Sequence, residues 1–165
     1  MRSLLHVVTL SLPLLVLAGC GREAPPTAAE PPAAAAPPAP TAAAAAMPHT
    51  PAPAGVHVAI ASPADGAVVK SPVTVQFTIE GMSLAPAGTG DALTGHHHLL
   101  VDTDLPALDQ PIPKDANHLH YGKAETEATV ELAPGTHRLQ LLLGDTNHVP
   151  HDPPIASAPI TITVE

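Results

Sequence analysis

The sequence predicts an all-β protein: a single immunoglobulin-like antiparallel β-sandwich that follows a disordered linker rich in Pro and Ala. From residue 55 onward, short runs alternate between apolar and polar residues, which is the period of a half-buried strand. Pro, Gly and Asp separate these runs at short intervals. No stretch carries apolar residues at helical spacing over three turns without a Pro or Gly. About seven short strands in about 110 residues favour a sandwich.

Seven strands can be assigned in chain order from this alternation. The clearest is 72–80, where Val73, Val75, Phe77 and Ile79 alternate with polar residues. The segment 62–66 before it is a turn, because Pro and Gly set its backbone. The strands are predicted at 56–61, 72–80, 96–102, 118–121, 126–132, 136–143 and 158–164. Their core would be aliphatic, since Phe77 is the one Phe of the chain.

Composition and charge narrow the function classes. The chain has 165 residues and 13% charged residues, against roughly 25% in ordinary globular domains. Its single Cys cannot form an internal disulfide. The net charge of −9 argues against nucleic acid as a partner, because phosphate contacts need clustered Lys and Arg. An acidic balance attracts cations, although a solvated acidic surface is its commoner cause.

The first 19 residues have the features of a signal peptide. A positive end, Met1-Arg2, precedes a mostly apolar run at 4–17 that is too short to span a membrane comfortably. The run ends in Leu17-Ala18-Gly19-Cys20, which resembles the bacterial lipobox. That resemblance implies cleavage before Cys20 and its lipidation, with palmitate as a typical acyl group. The protein would then be anchored to the bacterial membrane, facing the extracytoplasmic side, in the periplasm or at the outer membrane.

The segment that follows is predicted to be a tether. Residues 24–54 are almost entirely Pro and Ala, with a few Thr and Glu. Pro blocks helix formation through the Ala runs, and nothing in the segment can build a core. We therefore predict three parts: a signal peptide at 1–19, a lipidated Cys and disordered tether at 20–54, and a His-rich domain at 55–165.

Seven of the 11 histidines fall into three clusters. They are His96, His97 and His98; His118 and His120; and His148 and His151. In an immunoglobulin-like sandwich, the start of the third strand and the last loop lie at the same end, so the first cluster and the cluster of His148 and His151 should be neighbours. Alternation directs His96 and His98 to one face, and His118 and His120 likewise to one face. His97 shares the face of Leu99 and Val101, so it is expected to pack.

These clusters predict a metal site. Neutral imidazoles suit zinc, copper and nickel, and we expect divalent zinc or copper as the cofactor. The expected ligands are His96, His98, His118, His120, His148 and His151. Three carboxylates would act as further ligands or would orient the ligating rings: Asp102, Asp145 and Asp152. Two alternatives stay open, a structural histidine network that locks the Pro-rich loops and a surface that responds to pH.

Several sequence blocks after residue 94 occur in an order that points to a family. They are His96-His97-His98-Leu99-Leu100-Val101-Asp102, Pro111-Ile112-Pro113, Asn117-His118-Leu119-His120-Tyr121-Gly122-Lys123, Pro134-Gly135, Leu143-Gly144-Asp145 and Asn147-His148-Val149-Pro150-His151-Asp152-Pro153-Pro154. Residues 94–165 resemble a bacterial family of exported domains of unknown function, DUF4399. The pair Ala124-Glu125 departs from the Gly-Gln pair of that family, so the resemblance leaves the turn there open. It implies a domain boundary and no particular chemistry.

Three function classes follow. The first is a monomeric, lipid-anchored domain that binds zinc or copper for sequestration or handover. The second is a non-catalytic envelope module whose histidines are structural and whose partner adds a strand to a sheet edge. The third is a metal-dependent enzyme. We assign no catalytic residue, because no Gly-X-Ser-X-Gly elbow, phosphate loop or His-Glu-X-X-His motif is present.

Overall fold

The computed structural model describes residues 45–91 and 93–165. The predicted signal peptide, Cys20 and most of the predicted tether lie outside the described residues. All regular elements in the described ranges are strands, and none is a helix, as the sequence predicts. The strands are β1 (His57–Ser62), β2 (Val68–Val69), β3 (Val73–Glu80), β4 (Ser83–Leu84), β5 (Thr94–Val101), β6 (His118–Tyr121), β7 (Glu127–Val130), β8 (Gly135–Gly144) and β9 (Ile160–Val164).

The strands form the two sheets of a sandwich. One sheet has the order β1-β3-β7, and the other has the order β2-β9-β8-β5-β4, with β6 also paired to β5. This is the order of an immunoglobulin-like sandwich, in which the first, second and fifth main strands face the third, sixth and seventh. The long pairs are antiparallel, whereas the two-residue strands β2 and β4 pair in parallel with β9 and β5. Two residues give no readable alternation, so the sequence does not predict these short strands.

The main core lies between the two sheets and is aliphatic. The smaller sheet contributes Val73 and Val75, and the larger sheet contributes Leu99, Leu141 and other apolar residues of its inner face. Phe77 connects the two sheets: its ring centroid lies 5.1 Å from that of His97 and 5.5 Å from that of Tyr121. The main core is therefore built from aliphatic side chains around a single Phe ring.

The larger sheet is also covered on its outer face. Strand β5 is buried along both faces from Gly95 onward. Its outer face carries His96, His98 and Leu100, and Leu100 packs with Ile112 of the following loop in a second, smaller apolar cluster. The outer face of β5 is thus shielded from water by loops rather than by the second sheet.

The last residues of the predicted tether are bonded to this domain. The Asp152 N–H donates to the Thr50 carbonyl at 3.0 Å, and the Ala52 N–H donates to the Asp152 carbonyl at 2.8 Å. The Met47 N–H donates to the carbonyl of Asp109 at 3.0 Å. We call residues 45–52 the strap. Although the sequence predicts a tether that runs to residue 54, the strap lies along the domain, because extended Pro-rich backbone can pair at a sheet edge.

Candidate metal centre

Four imidazole rings meet on the outer face of the larger sheet. Strands β5 and β6 pair so that His98 lies opposite His120, and alternation places His96 beside them. The centroid of the His96 ring is 4.9 Å from His98, 5.0 Å from His120 and 4.7 Å from His148. The rings of His120 and His148 are 4.9 Å apart. The loop before β9 therefore meets the start of β5, as the predicted fold requires.

The ring nitrogens are close enough to share an ion. The Nε2 atoms of His96 and His98 are 3.0 Å apart. One ring nitrogen from each of His96, His98 and His120 lies within 4.8 Å of the other two. Zinc–nitrogen bonds of about 2.0–2.1 Å separate two tetrahedral ligand nitrogens by about 3.3 Å. Small ring rotations would therefore bring these three donors into a metal's first coordination sphere.

Burial keeps these rings neutral. Desolvation by burial, reinforced by the neighbouring rings, lowers the pKa of His98 to about 2 and that of His96 to about 4. Desolvation by burial and then the charge of His148 lower the pKa of His120. A neutral imidazole offers the nitrogen lone pair that a metal needs. At neutral pH these three rings are therefore uncharged and would not have to lose an imidazolium proton before binding a cation.

Unpaired nitrogens in the group also indicate a missing partner. Nε2 of His120 and Nδ1 of His98 are buried and have no hydrogen-bond partner among the described atoms. A buried polar atom without a partner costs about 1–3 kcal/mol. An ion bound by His120 would satisfy one of these atoms.

Two glycines make room for the rings. A Cβ on Gly122 would overlap the ring of His120, and a Cβ on Gly144 would lie 3.0 Å from Nε2 of His98. Gly144 pairs with His96 across β5 and β8. Sequence reasoning missed both glycines, although their positions in His-Tyr-Gly and Leu-Gly-Asp, next to the ligand clusters, were a usable signal.

Asp145 supports His148 through the turn that carries it. Oδ1 of Asp145 accepts hydrogen bonds from the N–H groups of Asn147 at 2.8 Å and Val149 at 3.0 Å. Oδ2 accepts one from the Thr50 hydroxyl at 2.7 Å. His148 itself has a φ of 66°, in the left-handed region. With both oxygens bonded, this buried carboxylate shapes the turn and is not free to reach an ion.

His118 lies beside the group of four rings. It faces Leu100 in the register of β5 and β6, two residue pairs further along than His98. Its Nδ1 is 2.8 Å from Oδ1 of Asp115, and its Nε2 is buried without a partner among the described atoms. Asp115, which sequence reasoning missed, thus orients the ring as carboxylates orient metal-bound histidines. The position of Asp115 just before Asn117-His118 was the feature of the sequence that could have identified it.

The structure does not bring His151 into the group. Its Cε1 lies 3.4 Å from the position that a Cβ on Gly95 would occupy. Gly95 points away from His96 because neighbouring strand residues face opposite sides. His151 is therefore buried on the other side of β5, where burial lowers its pKa.

Two predicted carboxylates also lie elsewhere. Asp102 follows the far end of β5, where Oδ2 is 2.7 Å from Nδ1 of His137 and Oδ1 accepts the N–H of Arg138. Asp152 is exposed, and its backbone pairs with the strap. Neither residue contacts the four rings, because β5 carries Asp102 away from His96 and the strap pairing directs Asp152 outward.

His97 has the packing position that alternation predicts. It is fully buried, and its ring contacts Phe77 in the core between the sheets. The His triplet is thus divided between the two faces of β5, with two rings in the cluster and one in the core.

The molecule is an all-β sandwich with a buried histidine group on one outer face. Residues 75–165 match the family described as Domain of unknown function (DUF4399), and the chain belongs to this family. The match confirms the resemblance and extends it to residues before 94, so that it includes most of β3. No curated protein and no solved structure matches the chain. Within residues 45–91 and 93–165, no helix has the length and hydropathy needed to cross a bilayer.

Proposed function

We propose that this chain is a lipid-anchored extracytoplasmic protein whose sandwich domain binds zinc or copper for sequestration or handover. The observation that carries the proposal is the convergence of His96, His98 and His120, each offering a ring nitrogen within 4.8 Å of the other two. His148 adds a fourth ring to the group. Lipidation at Cys20 and location in the bacterial envelope follow from the lipobox resemblance and belong to the proposal.

The donor set favours a transition metal over a hard cation. All four rings offer neutral nitrogen, whereas magnesium and calcium take oxygen ligands. The carboxylate of Asp145, in the turn that carries His148, has both oxygens in hydrogen bonds. Among divalent ions, such nitrogen sites bind copper more tightly than zinc.

Exposure within the group suggests a route for the ion. His96 and His98 are each 1% exposed, whereas His120 and His148 are only partly buried. An ion would therefore enter past His120 and His148 and then reach the two strand residues beneath. A site with two accessible ligands suits exchange with another carrier better than a closed structural site does.

A structural histidine network is the second candidate. It is favoured by the 3.0 Å contact between the Nε2 atoms of His96 and His98, in which one ring donates and the other accepts. The neighbouring apolar cluster of Leu100, Ile112 and Leu142 shows that loops are anchored on the same face. In that case the domain would act as an envelope interaction module.

Metal retention separates the two candidates. The full-length chain, purified without a histidine tag and freed of metal, is equilibrated with zinc or copper, desalted and assayed for metal by mass spectrometry. We expect about one ion per chain and a higher melting temperature, because a ligand that binds only the folded state stabilises it. A wild-type chain that retains no ion and shows no thermal shift would reject metal binding and favour the network.

Variants locate the ion. His98→Ala and His120→Ala should lose retention, and His148→Ala should weaken it. His57→Ala is the matched control, because His57 is exposed on β1, far from the group in the topology, and should retain the ion. His151→Ala should keep the ion, since His151 faces the other side of β5. Retention by His98→Ala would place the ion elsewhere.

A further inference from the structure

We propose that the strap, residues 45–52, locks the turn that carries His148 over the histidine group and so controls access to it. This inference deepens the proposed function and rests on it for its biological meaning. The contacts that carry it can be tested whether or not a metal binds.

The first contact joins the strap to the turn directly. The Thr50 hydroxyl donates to Oδ2 of Asp145 at 2.7 Å, and Asp145 is only 2% exposed. A hydrogen bond to a buried carboxylate is among the stronger ones in proteins. The other oxygen of the same carboxylate holds the N–H groups of Asn147 and Val149, on either side of His148. Thr50 therefore stabilises the group that shapes the turn.

Further contacts join the strap to both loops that cover the site. Next to the turn, the strap exchanges two backbone hydrogen bonds with Asp152. At its other end, the side-chain amide of Gln110 donates to the Ala45 carbonyl at 3.2 Å. The loop that carries Gln110 also carries Ile112, whose N–H donates to the His148 carbonyl at 2.7 Å. The strap thus spans two loops that are themselves bonded at His148.

His148 depends on these loops more than the other rings do. His96 and His98 lie within paired strands, which fix their positions through the sheet ladder. His148 is held through its backbone, which is bonded to the Asp145 carbonyl and to the Ile112 N–H. Release of the strap would therefore loosen His148 first and leave the other three rings in place.

This arrangement couples strap docking to the ion. A metal bound by His148 would favour the closed turn, and the closed turn favours the docked strap. By linkage, each event strengthens the other by the same factor. The strap also joins the domain to residues 1–44, the part that would carry the anchor, so a pull on that end would loosen the ligand that closes the site.

The test removes one hydroxyl. Thr50→Val keeps the shape of the side chain and deletes the hydrogen bond to Asp145. We expect amide hydrogen exchange at Asn147 and Val149 to become roughly tenfold faster in the full-length, metal-free chain, because the lost bond holds their acceptor. Exchange at Leu99, in the centre of β5, should be unchanged. Thr50→Ser should restore slow exchange, and Thr74→Val, an exposed strand position without a side-chain hydrogen bond, is the matched control.

The effect of the strap on metal release, and of metal on the strap, tests the same coupling from the other side. With zinc or copper bound, a chelator should withdraw the ion about tenfold faster from the Thr50→Val variant, and loading should slow exchange at Ala52 and Asp152 in the wild-type chain. Unchanged exchange at Asn147 and Val149 in Thr50→Val would overturn the strap proposal. A wild-type chain that binds no metal would overturn the proposed function instead, while the metal-free exchange would still decide whether the strap locks the turn.

Discussion

At the scale of single residues, His97 places a titratable ring in an aliphatic core. Both of its ring nitrogens are buried and have no partner among the described atoms. Desolvation by burial lowers its pKa to about 4, so the ring is neutral at pH 7. Beside Phe77 it acts as a flat packing group that carries two unpaired polar atoms.

Replacing His97 should therefore stabilise the protein. We expect His97→Leu to raise the free energy of unfolding by about 1–3 kcal/mol at pH 7, because an apolar side chain leaves no buried nitrogen unpaired. Urea denaturation measures the change, with His57→Leu as the exposed control expected to stay within about 0.5 kcal/mol. A loss of stability in His97→Leu would mean that the ring nitrogens have a partner in solution.

His137 and Asp102 form a charged pair at the far end of β5. The two nitrogens of His137 face acceptors only, Oδ2 of Asp102 at 2.7 Å and the Ala133 carbonyl at 2.8 Å. These two hydrogen bonds raise the pKa of His137, because only the protonated ring donates from both nitrogens. Desolvation acts to raise the pKa of Asp102, but the bonds from Arg138 and His137 outweigh it and lower the pKa.

The pair should stabilise the fold most between about pH 4 and 6.5. The contribution of His137 is complete below its unfolded pKa of 6.5 and is lost as pH rises through its higher folded pKa. That of Asp102 is present above its unfolded pKa of 3.8 and is lost as pH falls through its lower folded pKa. Unfolding of wild type and Asp102→Asn from pH 3 to 9 should show the largest gap in that window. A gap that does not vary with pH would contradict the pairing.

At the scale of elements, alternation predicts which histidines share a face but not which of them meet. It places His96 and His98 together and His97 opposite, and the structure agrees. For β6 it gives the correct shared face, yet the register decides that His120 lies opposite His98 and His118 opposite Leu100. Register depends on how two strands pair, which one strand's sequence does not contain. The side of β5 that His151 faces could not be predicted either, because it depends on how a loop folds back onto the sheet.

The turn between β6 and β7 holds an alanine in an unfavourable conformation. Ala124 has a φ of 62°, which costs an ordinary residue about 1–2 kcal/mol relative to right-handed backbone. It is the first residue of the pair Ala124-Glu125, where the resemblance described above leads us to expect Gly. The difference between Ala124-Glu125 and the expected Gly-Gln pair therefore lies at a strained backbone position.

Restoring glycine there should stabilise the protein. We expect Ala124→Gly to raise the free energy of unfolding by about 0.5–1 kcal/mol, after allowing for the greater freedom of glycine in the unfolded chain. Thermal unfolding measures the change. Ala59→Gly, on an exposed position within β1, is the control and should be destabilising by a similar amount. If Ala124→Gly destabilises the protein as much as Ala59→Gly does, Ala124 is not strained.

At the scale of the whole molecule, the two sheets are joined by the ring contacts of Phe77 and by many aliphatic side chains. Phe77 is 4% exposed and contacts both His97 and Tyr121 of the opposite sheet. Phe77→Ala should lower the free energy of unfolding by about 3–5 kcal/mol, because it removes burial and leaves a cavity. Chemical denaturation tests this, with the exposed Val68→Ala as the control. A loss below about 1 kcal/mol would show that the sheets can close around the missing ring.

The sandwich itself could be predicted from the sequence, whereas the docking of the strap on it could not. Alternation such as that of Val73 to Ile79 identifies long strands, and their number and spacing indicate the architecture. The strap could not be recognised, because Pro and Ala around Thr50 have the same composition whether they pair with a sheet edge or extend into solvent. The contact of Thr50 with Asp145 joins residues 95 positions apart, and no local pattern reports such a distance.

The histidine group occupies a face that the main core does not use, and this separates two kinds of evolutionary change. Substitutions among Val75, Leu99 and Leu141 would alter whether the chain folds, whereas, on the proposed function, substitutions among the four rings would alter which ion the finished sandwich binds. A lineage could therefore exchange one ligand set for another without repacking the space between the sheets. For a protein designer, the same separation makes this outer face a scaffold on which binding specificity can be rewritten while stability is kept.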